Sequence, residues 1–286
     1  MAYTKFEPST ILKPYIAFYY IWERDDYLMQ PEIIMGQANS TCVLVFNYGD
    51  RYLLYNHACE GMYLPKIFLS GFSLSPFKLR LTGKISMLGV VFKGLLFSHL
   101  FRKIPPLKEI HDRRIDFELI VGRQAGIMNE KLESANSNKE RINIVNQYFE
   151  EKVTSQKCLF SKNNLIIDFI EKFKGMIRMD NMAEIFELSP RQMRRVFKEE
   201  TGIGPKFFAR LKRFNYVNKR LSEDPSLSWF DFIDSCEYYD QSHFIKEYQE
   251  FTGVPPGIFL ENLDKTRKPL TQIESRNQLI TENLNY

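Results

Sequence analysis

The feature that most restricts this chain is a duplication. Thr201-Gly202-Ile203-Gly204-Pro205 returns as Thr252-Gly253-Val254-Pro255-Pro256, 51 residues later. At the same offset Phe197 answers Tyr248, Arg195 answers Lys246, Met193 answers Phe244 and Ser189 answers Asp240. Each copy reads as a capped helix that stops at Thr-Gly, since glycine takes the left-handed conformation past a helix end at least steric cost. Two copies are too few for a solenoid, which needs about three repeats. A duplicated supersecondary unit inside one helical domain fits.

The first copy has a partner helix before it. Met182, Ile185 and Phe186 mark one short helix, and Leu188-Ser189 a turn. Ser189 is a good N-cap and Pro190 a good first helical residue, because the N–H that proline lacks has no partner there anyway. In the helix that follows, Met193, Val196 and Phe197 share one face. Arg191, Arg194, Arg195 and Lys198 share the opposite one, at i, i+3, i+4 and i+7. Two short helices across a tight turn, the second capped and basic outward, describe a helix-turn-helix with its recognition helix. The bland alternative is a solvated cationic face. The turn, the cap and the repeat together favour duplex DNA. Arginine suits that role because its planar fork can meet both N7 and O6 of guanine. Lys198, further from the helix N-terminus, is expected to meet phosphate.

The second copy spans 228–251. Trp229, Phe232 and Ile233 form an apolar stripe, then Asp240 caps a helix with Phe244, Tyr248 and Phe251 inward. Outward it offers Gln241, Ser242, His243 and Lys246, of which glutamine and serine can read base edges. Residues 205–221 read as one helix between the two motifs, with Phe207, Leu211, Phe214, Val217 and Leu221 inward. Its cations Lys206, Arg210 and Arg213 either touch phosphates or pair with neighbouring acids.

On these residues, 165–262 resembles the AraC/XylS family DNA-binding domain, two helix-turn-helix motifs joined by a long helix. The resemblance is carried by Ala183, Leu188-Ser189, Arg194-Arg195, Phe197-Lys198, Gly202, Arg213 and Leu221. It continues through Asp240-Gln241-Ser242-His243-Phe244, Lys246, Gly253 and Pro256. It implies that Arg191, Arg194 and Arg195 face bases in one major groove, and that Gln241, Ser242, His243 and Lys246 lie near the next. The chain departs from the pattern in the second turn, where Ile233 and Glu237 replace the usual Ala and Gly. Leu260 stands in place of the last motif arginine.

Charge adds a constraint that the overall balance of +4 hides. From Ser189 to Arg220 there are ten Lys/Arg against two acids, net +8. From Leu221 to Asp264 there is one Lys against ten acids, net −9, and Glu247 and Glu250 fall on the second recognition helix itself. DNA binding is therefore expected to rest mainly on the first motif. The rival reading is a protein-interaction regulator whose acidic second motif binds a protein.

The front half has a different period. Cys42-Val43-Leu44-Val45-Phe46, a turn at Asn47-Tyr48-Gly49-Asp50, and Tyr52-Leu53-Leu54-Tyr55 read as strand, turn, strand. Residues 67–69 and 86–92 are further β-type runs, and 12–22 could be helix or strand. Leu96, Leu100 and Phe101 fit a short helix stopped by Pro105-Pro106. Residues 116–134 and 138–152 read as two more helices, whose Leu119, Ile120, Ile127, Leu132, Ile142, Val145 and Phe149 serve either a homodimer or the protein's own sheet. Leu12-Lys13-Pro14-Tyr15-Ile16, Tyr20-Ile21-Trp22, Phe46 to Asp50, Gly89 to Lys93 and Glu140-Arg141-Ile142 resemble the front domain of a subgroup of the same regulators. That resemblance implies sensing or dimerisation. Twenty of the first 120 residues are aromatic, which suits a ligand pocket or, more simply, a core.

The expected class is thus α+β: a β-rich N-terminal domain with added helices, then an all-α domain with two helix-turn-helix motifs joined by a long helix. The expected boundaries are 1–153 for sensing or dimerisation, 154–164 as linker, 165–264 for DNA binding, and 265–286 as a polar tail. Expected partners are double-stranded DNA, RNA polymerase, a small-molecule effector and a second copy, with no membrane. His57, His99 and His111 are scattered and the cysteines (Cys42, Cys59, Cys158, Cys236) form no C-x-x-C pair, so no metal, cofactor or disulfide framework is expected. No catalytic constellation can be assembled, so the protein is expected not to be an enzyme. The lack of an 18-residue apolar run or signal layout predicts a cytoplasmic protein.

Overall fold

The structure is a computed structural model that describes residues 2–24, 27–101, 104–155, 162–224 and 227–258. Most of the expected linker, the whole expected tail, Cys158 and Leu260 lie outside the described residues. The chain forms two compact units: Met1–Ile34, Thr41–Ser73 and Lys78–Leu165 in the first, Met35–Ser40, Leu74–Phe77 and Ile166–Tyr286 in the second.

The β-rich part holds ten strands among the described residues, in two sheets. They are β1 (Ala2–Phe6), β2 (Ile16–Glu23), β3 (Leu28–Gly36), β4 (Val43–Asn47), β5 (Leu53–Asn56), β6 (Cys59–Tyr63), β7 (Ile67–Ser70), β8 (Phe77–Gly83), β9 (Ser86–Phe92) and β10 (Arg114–Asp116). One sheet runs β1-β2-β9-β4-β7-β10, the other β3-β8-β5-β6. All seven residues of β9 are buried, as a near-continuous apolar run must be when it sits mid-sheet with both faces covered. β8 instead alternates exposed and buried, the period-2 pattern of a sheet with one wet face. Residues 16–23 resolve as strand, in keeping with their β-branched and aromatic content. β4 and β5 are both strands but belong to different sheets. The turn between them is tied by Asn47, whose side chain accepts from the Gly49 N–H at 3.0 Å and donates to the Asp50 carbonyl at 2.9 Å.

Four helices follow in this unit: α1 (Phe97–Leu100), α2 (Glu118–Val121), α3 (Gln124–Ser134) and α4 (Asn138–Thr154). The single helix expected over 116–134 is in fact α2 and α3, broken at Gly122, which sits at φ 70°. Ser137 caps α4 by accepting from the Glu140 N–H. Ile142, Val145 and Phe149 turn inward, with the Phe149 ring edge-on to Phe92 and Phe101 at 5.7 and 6.1 Å. Of the apolar residues expected to choose between dimer and core, Ile120, Leu132, Ile142, Val145 and Phe149 are buried, while Leu119 and Ile127 are exposed.

The second unit is built on α5 (Lys162–Lys172), α6 (Met179–Ile185), α7 (Pro190–Thr201), α8 (Pro205–Glu223), α9 (Asp231–Ser235) and α10 (Gln241–Thr252). α8 serves both motifs. Its Phe208 meets Phe197 of α7 at 5.6 Å, and its Phe214 meets Tyr248 and Phe251 of α10 at 5.2 and 5.1 Å. Two earlier stretches of chain complete this unit. Ala38 is fully buried beside Leu211, Phe214 and Phe251, and its N–H donates to the Phe251 carbonyl at 2.9 Å. Tyr248 Oη donates to Asn218 Oδ1 and Asn218 Nδ2 donates to Gln37 Oε1, each at 2.8 Å, a buried polar chain with its members satisfied. No helix among the described residues is long and apolar enough to cross a membrane.

Candidate nucleic-acid interface

The duplication persists at the level of single hydrogen bonds. α7 and α10 are each 12 residues long, and end on Gly202 and Gly253 at φ 80° and 79°. Thr201 Oγ1 donates to the Phe197 carbonyl at 2.7 Å, and Thr252 Oγ1 to the Tyr248 carbonyl at 2.9 Å. At the other end Ser189 accepts from the Gln192 N–H at 3.2 Å, and Asp240 from the His243 N–H at 2.7 Å. Gln192 also accepts from the Ser189 N–H at 2.9 Å, closing a capping box. That Ser-x-x-Gln signal stands in the sequence beside the recognised cap.

The turns that set each recognition helix across its partner also repeat. Glu187 and Glu237 take φ 52° and 57°, a left-handed position that glycine fills most cheaply. The Leu188 N–H returns to the Ala183 carbonyl at 2.9 Å, and the Tyr238 N–H to the Ile233 carbonyl at 3.0 Å. Ile233 and Glu237, the two departures in the second motif, therefore keep the geometry of the first.

Arg191, Arg194, Arg195 and Lys198 are all exposed on α7, opposite the buried Met193 and Phe197. Arg195 makes a 3.4 Å ion pair with Glu199, with both side chains more than 60% exposed, too weak a tie to withhold it from a stronger anion. On α10, Gln241, Ser242 and Lys246 are exposed. His243 is partly committed: its Nδ1 accepts from the Tyr239 N–H at 3.3 Å and its Nε2 lies 4.0 Å from Glu247.

Glu247 corrects the charge argument. Its side chain is 1% exposed and receives Arg213 at 2.9 Å and Arg210 at 2.7 Å. Glu250 is bonded to Arg210 as well. Neither acid therefore stands as an open negative charge on the second recognition helix. Two cations of the basic block and two acids of the acidic one thus pair between α8 and α10, because a buried carboxylate such as Glu247 must be paired to survive. Arg213 also donates to the Glu237 carbonyl at 3.3 Å and lies 4.2 Å over the Tyr238 ring, so it braces the second turn. Burial works against the Arg210 charge, but hydrogen bonds to Glu250 and Glu247 outweigh it and hold its pKa above the ordinary value. Burial, with Glu247 nearby, pushes the Tyr238 phenol well up, so it stays neutral. Among the α8 cations Lys212 pairs with Glu171 at 2.6 Å, while Lys206 and Arg220 remain exposed.

Residues 182–262 match the family described as "Helix-turn-helix domain", and residues 4–116 match "Domain of unknown function (DUF6597)". No curated protein matches the chain. Among solved structures, an apo form of ToxT from Vibrio cholerae is 12% identical, covers 90% of this chain and 99% of its own, and superposes with a TM-score of 0.49. Unsaturated fatty acid-bound ToxT from the same organism is 11% identical over 83% and 97%, with a TM-score of 0.44. The AraC-like transcriptional activator CuxR is 11% identical over 73% and 84%, with a TM-score of 0.28.

Proposed function

We propose, on the premise that residues 182–262 form an AraC-type helix-turn-helix domain, that this chain is a sequence-specific DNA-binding transcription regulator. The observation that carries the reading is the face of α7: four exposed cations at helical spacing on a rigidly capped helix. In this reading Arg191, Arg194 and Arg195 meet base edges in the major groove and Lys198 meets phosphate. Gln241, Ser242 and Lys246 reach the next groove, with a smaller share from His243. The first motif supplies most of the affinity, because α7 offers four exposed cations and α10 only Lys246.

The rival reading, an acidic second motif that binds a protein instead of DNA, loses its main support with Glu247 buried and Glu250 held by Arg210. The remaining parts of the proposal are an effector sensed by the β-rich unit, contact with RNA polymerase, and a homodimer resting on the exposed Leu119 and Ile127. A monomer mass at micromolar concentration would remove the dimer. The test of the main reading is selection of bound sequences from random duplex DNA. Two short subsites about one helical turn apart are expected, since each motif presents one recognition helix to the groove. Failure to enrich any sequence would overturn the reading.

A further inference from the structure

We propose that the β-rich unit binds a small zwitterion with an α-amino acid head group, in the half-open cavity of about 420 Å³ walled by Glu23, Tyr48, Lys84, Glu133 and Arg141. The proposal rests on the effector-responsive reading above and gives it a site and a ligand class. The walls come from distant parts of the chain: the end of β2, the turn after β4, the approach to β9, α3 and α4. Three motifs singled out in the sequence but unused by DNA binding, at 20–22, 46–50 and 140–142, thus run to or next to one cavity.

Arg141 is the fixed point. Its Nε donates to the Leu132 carbonyl at 2.9 Å and its Nη1 to Asn138 Oδ1 at 2.6 Å. Nη1 also lies 3.4 Å from Glu23 Oε1, and the guanidinium stands 5.1 Å over the Tyr48 ring. Nη2 keeps its two N–H donors unspent among the described residues, half of the planar fork that receives a carboxylate. Arg24, a third cation in the wall, is paired with Glu32 at 2.7 Å, while Lys84 and Glu133 are exposed and carry no ion pair among the described residues. Burial, with Glu23 nearby, pushes the Tyr48 phenol well above the ordinary value and keeps its O–H a donor, here to Glu23 Oε1 at 3.5 Å. A purely anionic ligand would meet Glu23 and Glu133, and a purely cationic one Arg141 and Lys84. A molecule with both charges answers both pairs, its carboxylate toward Arg141 and Lys84 and its ammonium toward Glu133 and Glu23. The cavity is at the small end of the range for ligand pockets, about 300–1,000 Å³, which suits such a head group with a side chain.

The test is calorimetric titration of the full chain with each of the twenty standard α-amino acids. At least one should bind, and its N-acetyl and amide derivatives should each bind about tenfold more weakly or worse, because each removes one charge. Lys84→Ala and Glu133→Gln, at exposed positions, should each weaken binding by a similar factor while leaving the Tm of the free protein unchanged. Absence of binding, binding indifferent to both substitutions, or binding of glucose in place of any amino acid overturns the proposal. Selection of duplex DNA by the same preparation separates the two readings. Specific DNA binding without amino acid binding removes this site and leaves the regulator. Amino acid binding without DNA binding does the reverse.

Discussion

Glu187 and Glu237 hold left-handed backbone at the apex of the two turns. A side chain there costs about 1–2 kcal/mol relative to its preferred conformation, partly offset in glycine by the entropy it loses on folding. Glu187→Gly and Glu237→Gly should therefore each stabilise the protein by about 0.5–1 kcal/mol, read as a higher urea midpoint. A fall at either site would show that its carboxylate contributes more than the backbone strain removes. Glu247 and Glu250 offer the opposite contrast. Glu247→Ala leaves Arg213 buried without its partner and should cost about 3–5 kcal/mol. Glu250→Ala breaks only a half-exposed pair and should cost about 1 kcal/mol or less. Equal losses would contradict the assignment of Glu247 as the keystone of the second motif.

At the scale of the elements, α7 and α10 share length, caps and stop but not surface. Arg194→Ala or Arg195→Ala should each cost about 1–3 kcal/mol in DNA affinity and relax specificity at one position. Lys246→Ala should cost less, and equal losses in a binding titration would refute the asymmetry. The caps and the cationic stripe of α7 could be read directly from the sequence, because helical period and capping chemistry are local. The fate of Glu247 could not. Its partner Arg213 lies 34 residues earlier, and periodicity alone sets Glu247 between the outward Lys246 and the inward Tyr248. Asn218 was hidden for the same reason: on a helix pattern it is a polar residue, and only its contacts with Tyr248 and Gln37 make it part of a core. The break at Gly122 was masked by apolar residues on both sides of it.

For the whole molecule, the consequential feature is that the second unit is discontinuous in sequence. A linear reading draws a boundary near 165 and assigns Ala38 to the front domain, since nothing local to 35–40 announces a partner 170 or more residues away. A fragment of 165–264 lacks Ala38 from its core and the Gln37 acceptor for Asn218. It should unfold at a lower denaturant concentration than the same unit in the full chain, because the vacated space and the orphaned amide each destabilise it. Coincident midpoints would show that 35–40 is dispensable. The central claim, that α7 presents its cations to duplex DNA, is tested most directly by titrating the full chain with a selected duplex at a series of salt concentrations. Phosphate neutralisation predicts a negative log–log slope, made shallower by about 1 in Lys198→Ala. A slope near zero, or one that Lys198→Ala leaves unchanged, would contradict it.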